Sequence, residues 1–177
     1  MTPKNVKYLL MTLLLVSISA NAAEADRKQP VEIEADFASF KQNNQETEFS
    51  GNVVATQGSL KINASKVISI RDKNNGQIIT ATGKPTRFQQ NLDEKRSDGS
   101  PQLIKGHADK IVFNQSTNTV VMTGNAFIDR EGDTVSGPAI TYNTQTSVYS
   151  VKGNSSAKKG GRVSVVLQPE TVDSSKK

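Results

Sequence analysis

The strongest constraint on the fold is a recurring pattern of short apolar stretches that do not follow the period of a helix. Beyond residue 22, no segment sustains an apolar repeat of about 3.6 residues. Stretches rich in Val, Ile, Thr, Phe and Tyr recur instead, each bounded by Gly, Asn, Asp or Ser. The predicted strands are 31–36, 45–57, 60–70, 77–82, 86–92, 106–114, 119–130, 133–143, 146–152 and 161–168. This pattern predicts an all-β sandwich, barrel or stacked-hairpin fold.

The chain also repeats itself at an offset of 73 residues (108 − 35). Three pairs of segments share the offset: 35–40 with 108–113, Gly51-Asn52 with Gly124-Asn125, and 64–67 with 137–140. We therefore expect two copies of a multi-hairpin unit of roughly 70 residues, stacked so that each covers the other's apolar face. The extra polar segment 91–101 is predicted to be an exposed hairpin tip or mobile loop.

The two ends of the chain differ from its middle. Lys4 and Lys7 precede the apolar run 8–18, and Ala20-Asn21-Ala22 has the small-x-small pattern of a signal-peptidase site. The apolar run is shorter than the ~20 residues that a membrane span needs. We expect residues 1–22 to be a cleaved signal peptide, 23–168 a single β domain, and 169–177 a flexible tail.

Composition argues against most enzyme classes. The chain has no cysteine and a single histidine, His107, which excludes thiol chemistry and paired-histidine sites. Glu32, Glu34 and Asp36 alternate with apolar residues, as solvent-facing acids on a strand do. We therefore predict no catalytic residue, no metal and no cofactor. The net charge of +5 (22 − 17) suits an anionic ligand but is too small to indicate nucleic acid.

Two features keep alternative interpretations open. The basic cluster 158–162 has two interpretations. It is a solvated turn, or it attracts phosphate-bearing ligands or acidic partners. The aromatic residues form the core by default, and they line a ligand site only if the β layers are held apart. They are Phe37, Phe40, Phe49, Phe88, Phe113, Phe127 and Tyr142.

An ordered set of motifs resembles one known family, the OstA-like domain. The motifs are 29–36, 51–58, 61–67, Gly83-Lys84-Pro85, Gly106-His107-Ala108 and 123–126, and the resemblance spans about residues 29–168. It implies an open, twisted antiparallel β-jellyroll in the periplasm of Gram-negative bacteria, with an apolar groove for lipopolysaccharide acyl chains. It also implies end-to-end stacking between the OstA-like domains of the inner-membrane bitopic subunit and the outer-membrane translocon.

The resemblance also assigns residues. Lipid contact is expected at Val31, Phe88 and Phe113, with Phe40 and Phe127 as further candidates. An open jellyroll has unpaired strand edges, so a head-to-tail homo-oligomer is expected through the first and last strands. The candidate interface residues are Val31, Ile33, Arg162, Val163 and Val165. The alternative is a secreted structural or adhesive β-repeat protein without a lipid ligand.

Overall fold

The computed structural model describes residues 26, 29–41, 45–74, 76–146, 148–153 and 161–169. Its elements are ten strands: β1 (Glu32–Glu34), β2 (Phe37–Lys41), β3 (Glu46–Gln57), β4 (Leu60–Arg71), β5 (Gln77–Lys95), β6 (Pro101–Asn114), β7 (Thr119–Arg130), β8 (Asp133–Asn143), β9 (Val148–Lys152) and β10 (Ser164–Val166). The predicted signal peptide, its cleavage site and the tail from residue 170 lie outside the described residues. Within the described part, no helix has the length and hydropathy that crossing a membrane requires.

The strands form one continuous antiparallel sheet, which confirms the predicted all-β class. Strands β3 to β8 are neighbours in chain order because each is joined to the next by a short connection. At one end β1 and β2 both pair with β3, and at the other end β9 and β10 both pair with β8. Among the described strands these four pair on one side only, so the sheet is open at both ends.

A line of bulges, which we call the crease, crosses the sheet. The pairing register shifts at Gly51-Asn52 in β3, 64–65 in β4, 83–85 in β5, 108–109 in β6, 124–125 in β7 and Pro138 in β8. Pro138 has no backbone N–H to donate, and a bulge is where a strand tolerates that loss. The crease divides the sheet into a first arm, which carries β1 and β10, and a second arm, which carries β2 and β9.

The repeated motifs build this crease twice with the same geometry. Gly51 and Gly124 both have φ of 77°, and the following Asn52 and Asn125 have φ of 47° and 49°. Glycine is favoured there because a side chain strains the left-handed region. Each asparagine amide donates to the aspartate on the neighbouring segment, Asn52 to Asp36 at 2.9 Å and Asn125 to Asp109 at 3.1 Å. The sequence repeat is therefore confirmed as a repeat of structure.

The expected stacking of one repeat on the other is wrong. The two copies lie side by side in a single sheet. The arms cover each other across the crease, because one buried cluster draws its residues from both arms. The C-terminal cluster contains buried residues from both arms: Ile104, Ala108, Ile111, Met122, Ala126, Ile128 and Ile140. A smaller N-terminal cluster contains Val53, Val67 and Ala81.

Several predicted boundaries need correction. The segments 77–82 and 86–92 belong to one strand, β5, which continues to Lys95, so the expected loop 91–101 shrinks to a tip of residues 96–100. Arg96 holds this tip against the β7–β8 turn through an ion pair to Glu131 at 2.6 Å. The hydrogen bond from Arg96 lowers the pKa of Glu131 to about 2.

The predicted first and last strands are also shorter than expected. The segment 31–36 breaks at Ala35-Asp36 because these residues form the crease, and β1 keeps only Glu32–Glu34. The last strand, predicted at 161–168, covers only Ser164–Val166. Arg162 and Val163 therefore precede the last strand rather than lie within it.

Candidate functional site

The face of the sheet on which the arms cover each other, the inner face, is apolar across both arms. Residues that pair directly across antiparallel strands point to the same face, so the register defines rows of neighbouring side chains. One inner row of the second arm contains Ala38, Phe49, Val67, Ala81, Ile111, Met122, Ile140 and Val151. The next inner row contains Phe40, Thr47, Ser69, Ile79, Phe113, Val120, Tyr142 and Tyr149. The second arm therefore carries an apolar surface from one open edge to the other.

The first arm continues this surface on the other side of the crease. Its inner row contains Ile33, Ala55, Ile62, Phe88, Gly106, Ile128, Val135 and Val165. Gly106 is the partner of Phe88, and a Cβ at this glycine would lie 2.6 Å from the Phe88 ring. The glycine thus makes room for the ring to lie across β6, where Phe88 packs against the C-terminal cluster.

The opposite face, the outer face, has a different chemistry. One outer row of the first arm contains Glu32, Thr56, Lys61, Gln89, Lys105, Asp129, Thr134 and Val166. Lys105 and Asp129 form an ion pair at 3.3 Å within that row. The apolar and polar faces alternate along each strand as expected for a sheet with one solvated side. Among the described residues, the inner face therefore offers the more continuous apolar surface for a ligand.

Four of the five predicted lipid-contact residues lie on or beside the inner face. Phe88 and Phe113 are half-buried members of inner rows, and Phe40 is 69% exposed at the β2 end of its row. Val31 is exposed immediately before β1. The structure brings these residues to one continuous face from three different strands and a terminal segment.

Phe127 is the exception, and the expectation for it needs correction. It lies between Ala126 and Ile128, which are both buried in the C-terminal cluster, so its side chain alternates to the outer face. There its ring stacks on the imidazole of His107, with centroids 5.1 Å apart. The sequence could not show this orientation, because alternation does not reveal which residues point inward in a strand that is apolar on both faces.

Two aromatic pairs, one at each end of the second arm, were not predicted from the sequence. Phe40 contacts Phe49 edge-on with centroids 6.1 Å apart, and Tyr142 stacks on Tyr149 at 4.4 Å. Burial raises the pKa of Tyr149 to about 12, so its hydroxyl stays neutral at physiological pH. Alternation along β9 could have placed Tyr149 on the inner face, but only the register makes it the neighbour of Tyr142.

The predicted interface residues lie at the open edges of the first arm. Ile33 is half-buried in β1, whereas Val165 in β10 is 53% exposed. Arg162 and Val163 are exposed beside β10. Glu32 and Glu34 project from the outer face of β1, so the two edges carry opposite charges beside similar apolar residues. The lysines at 158 and 159 lie outside the described residues.

The inner face suits the binding of an apolar ligand. In the described part of the chain, no group of three or more His, Asp or Glu side chains is placed to hold a metal ion. What the inner face offers is a continuous apolar area between two arms, whose ends are open edges. Such a surface shelters apolar ligand area from water.

Comparison with known proteins gives a consistent result. Residues 32–148 match the model of the family described as LptA/(LptD N-terminal domain) LPS transport protein. The chain is 36% identical to the lipopolysaccharide export system protein LptA of Escherichia coli over 163 residues, covering 91% of this chain and 83% of that protein. It is 31% identical to LptA of Haemophilus influenzae over 175 residues, covering 97% and 96%.

A solved structure shares the fold. It is the crystal structure of LptH, the LptA-homologous periplasmic component of the lipopolysaccharide transport device of Pseudomonas aeruginosa. The TM-score is 0.68 at 29% sequence identity, and the match covers 81% of this chain and 99% of that one.

Proposed function

The chain belongs to the LptA and LptD N-terminal domain family of lipopolysaccharide transport proteins, and from that membership we propose that it binds lipopolysaccharide in the periplasm and carries it between membranes. The observation that supports this proposal best is the inner face. Its rows of apolar side chains cross the whole sheet and end at open edges rather than at closed walls.

The physical basis is the sheltering of acyl chains from water. Each methylene removed from water contributes roughly 0.8 kcal/mol, so a ligand with long chains gains more from a continuous surface than from isolated pockets. No chemical step is needed, and none of the proposed contacts is a reactive group. The proposed lipid contacts are Val31, Phe40, Phe88 and Phe113, and Phe127 is left out because it lies on the outer face.

The open edges suggest how the protein connects to its partners. A strand that pairs on one side only can accept another strand through backbone hydrogen bonds, which depend little on sequence. We propose that the β1 edge, with Val31 and Ile33, meets the edge of Arg162, Val163 and Val165 in a head-to-tail contact. The same contact would join the related domains of the inner-membrane bitopic subunit and the outer-membrane translocon.

The lipid surface is tested by photocrosslinking at two adjacent positions of β2. A photoreactive residue at Phe40 points to the inner face, whereas one at Ser39 points to the outer face, and both lie on the same exposed edge strand. We expect a lipopolysaccharide crosslink from position 40 and little from position 39. Equal crosslinking from both positions would contradict the assignment of the inner face.

A binding experiment tests the middle of the surface. Phe113→Asp places a charge on the inner face, and Val112→Asp places the same charge on the next residue of β6, on the outer face. We expect Phe113→Asp to abolish binding of lipopolysaccharide while Val112→Asp retains most of it, with β circular dichroism recorded for both. If the parent protein takes up no lipopolysaccharide, the structural or adhesive alternative is favoured instead.

The edge contact is tested by sedimentation velocity over a wide concentration range. Removal of residues 162–177 deletes β10, so we expect the oligomers of the full chain to be lost. A truncated protein that associates as well as the full chain would show that the interface lies elsewhere.

A further inference from the structure

The crease forms a cavity on the outer face, on the side of the sheet away from the proposed lipid surface. Its volume is about 950 Å³, and four strands contribute to it. The residues that line it include Ser65, Thr82, Lys84, His107, Asp109 and Asn125. The cavity exists because the bulges of β4, β5, β6 and β7 lie side by side.

The bulges give the cavity unusual hydrogen-bonding capacity. Residues in a bulge are left out of the regular ladder, so their backbone groups are available to another partner. Between Thr82 and Thr86 three residues of β5 fall outside the pairing register with β6. His107 adds an imidazole, which can donate a hydrogen bond in either protonation state. Its ring is held in place by stacking on Phe127.

The charges around the cavity favour an anion. Lys84 lines the cavity. Two further cations are cross-strand partners of lining residues: Arg87 pairs with His107, and Lys110 pairs with Thr82. These three cations are exposed, and the ion pairs found within the described ranges include none of them. By contrast, Lys66 on the same face is paired with Glu48 at 2.7 Å.

One carboxylate lines the cavity among the residues that the structure describes, and it is hydrogen-bonded within the crease. Asp109 accepts a hydrogen bond from Asn125 at 3.1 Å, as part of the device that shapes the crease. The equivalent position in the first repeat has an acidic residue in place of the histidine. There Asp36 and Asn52 make the same bond, but Glu34 occupies the position that corresponds to His107. The device of aspartate and asparagine therefore forms with or without a histidine beside it, so His107 is not needed to shape the crease.

We propose that this outer cavity is a binding site for a phosphoryl group, held by Lys84 and Arg87 with His107 as a hydrogen-bond donor. Cations on exposed side chains bind through charge that salt screens, so affinity falls as ionic strength rises. The site is independent of the lipid surface because the sheet separates the two faces. A phosphoryl group reaches it either free in solution or as the headgroup of a membrane phospholipid.

The experiment uses the mature protein labelled for nuclear magnetic resonance. Inorganic phosphate is added while the ring resonances of His107 are followed, and flotation with phosphatidylglycerol vesicles forms the second arm. Lys84→Glu is compared with Lys61→Glu, which makes the same charge change on the outer face of β4, away from the cavity. Arg87→Gln provides a second, milder variant should Lys84→Glu disturb the β circular dichroism spectrum.

The expected result is a saturable shift of His107 with phosphate, unchanged in Lys61→Glu and roughly tenfold weaker in Lys84→Glu, since attraction becomes repulsion. Flotation that depends on Lys84 would support the proposal with the headgroup as the source. Absence of both responses overturns it, as does equal weakening by the two lysine variants. Crosslinking from position 40 should be unchanged in Lys84→Glu, so failure of this site is distinguishable from failure of the transport proposal.

Discussion

The N-terminal and C-terminal clusters are built on the same backbone device but are closed to different degrees. Both contain a crease made by an aspartate, an asparagine and a glycine in the same geometry. The C-terminal cluster has seven buried residues, including four isoleucines and a methionine, whereas the N-terminal cluster has only two valines and an alanine. The repeat therefore fixes the bend of the sheet, and side-chain volume decides how far the two arms close over it.

The difference locates the more open part of the inner face. Around the N-terminal cluster, six apolar residues remain only partly buried, twice the number that it buries fully. They are Ile33, Ala35, Phe49, Ile62, Ala64 and Ile79. These side chains keep part of their surface in water, so this part of the inner face remains available to a ligand or to a neighbouring domain.

The largest expected effect is a cavity in the C-terminal cluster. Ile140→Ala removes a fully buried side chain and should lower the free energy of unfolding by about 2–5 kcal/mol. Val67→Ala in the N-terminal cluster removes less volume beside partly exposed neighbours, and we expect a loss of about 1.5 kcal/mol. Urea unfolding of both variants measures the difference. Equal losses would contradict the unequal closure of the two clusters.

The next effect concerns the shared backbone device. Gly51→Ala and Gly124→Ala each place a Cβ at a φ of 77° and against the neighbouring aspartate. The left-handed conformation costs roughly 1–2 kcal/mol for a residue with a side chain, so we expect similar losses at both sites. Thermal or urea unfolding provides the measurement. A much larger loss at Gly124 would show that packing around the bulge, not the bulge itself, sets the cost.

The two glycine sites show which features of the fold could be predicted from the sequence alone and which could not. The class of fold, most strand positions and the repeat followed from alternation and from the offset of Gly51-Asn52 and Gly124-Asn125. The bend of the sheet could not be predicted, because a two-residue Gly-Asn motif is compatible both with a turn between strands and with a bulge within a strand. Phe127 was misplaced because residues 126–128 are all apolar, so alternation alone does not show which of them faces inward, and only the pairing register does. The vacancy that Gly106 leaves for Phe88 likewise depends on register between two distant segments.

A smaller effect sharpens the comparison at the N-terminal side, where a polar anchor supplements the modest core. The carboxylate of Asp26 accepts hydrogen bonds from the Ser59 backbone N–H at 3.0 Å and from the Gln90 amide at 3.3 Å. Burial alone would raise the pKa of Asp26, but the hydrogen bonds from Ser59 and Gln90 outweigh it and lower the pKa below its usual value.

The sign of the pH effect follows from that direction. A depressed carboxyl pKa stabilises the folded chain above the pKa of the unfolded chain, and the contribution is lost as the pH falls through the folded value. As the pH falls through the folded pKa of Asp26, we expect the Ser59 amide to lose protection against hydrogen exchange. The loss is measured relative to amides that exchange only by global unfolding. In Asp26→Asn the Ser59 amide should lack this pH dependence. If the variant keeps the same pH profile as the parent protein, Asp26 is not the anchor.

The smallest expected change lies at the crease between the two clusters. Thr86 is fully buried, and its hydroxyl has no hydrogen-bond partner among the described residues. A buried hydroxyl without a partner costs desolvation free energy, so Thr86→Val, which keeps the shape, should leave stability unchanged or raise it by up to about 1 kcal/mol. Thr86→Ser keeps the hydroxyl and removes a methyl group, which should cost about 0.8 kcal/mol. Urea unfolding of the pair separates packing from polarity. Destabilisation of Thr86→Val beyond that of Thr86→Ser would mean that the hydroxyl is bonded in solution and that the crease has a polar centre between its two apolar clusters.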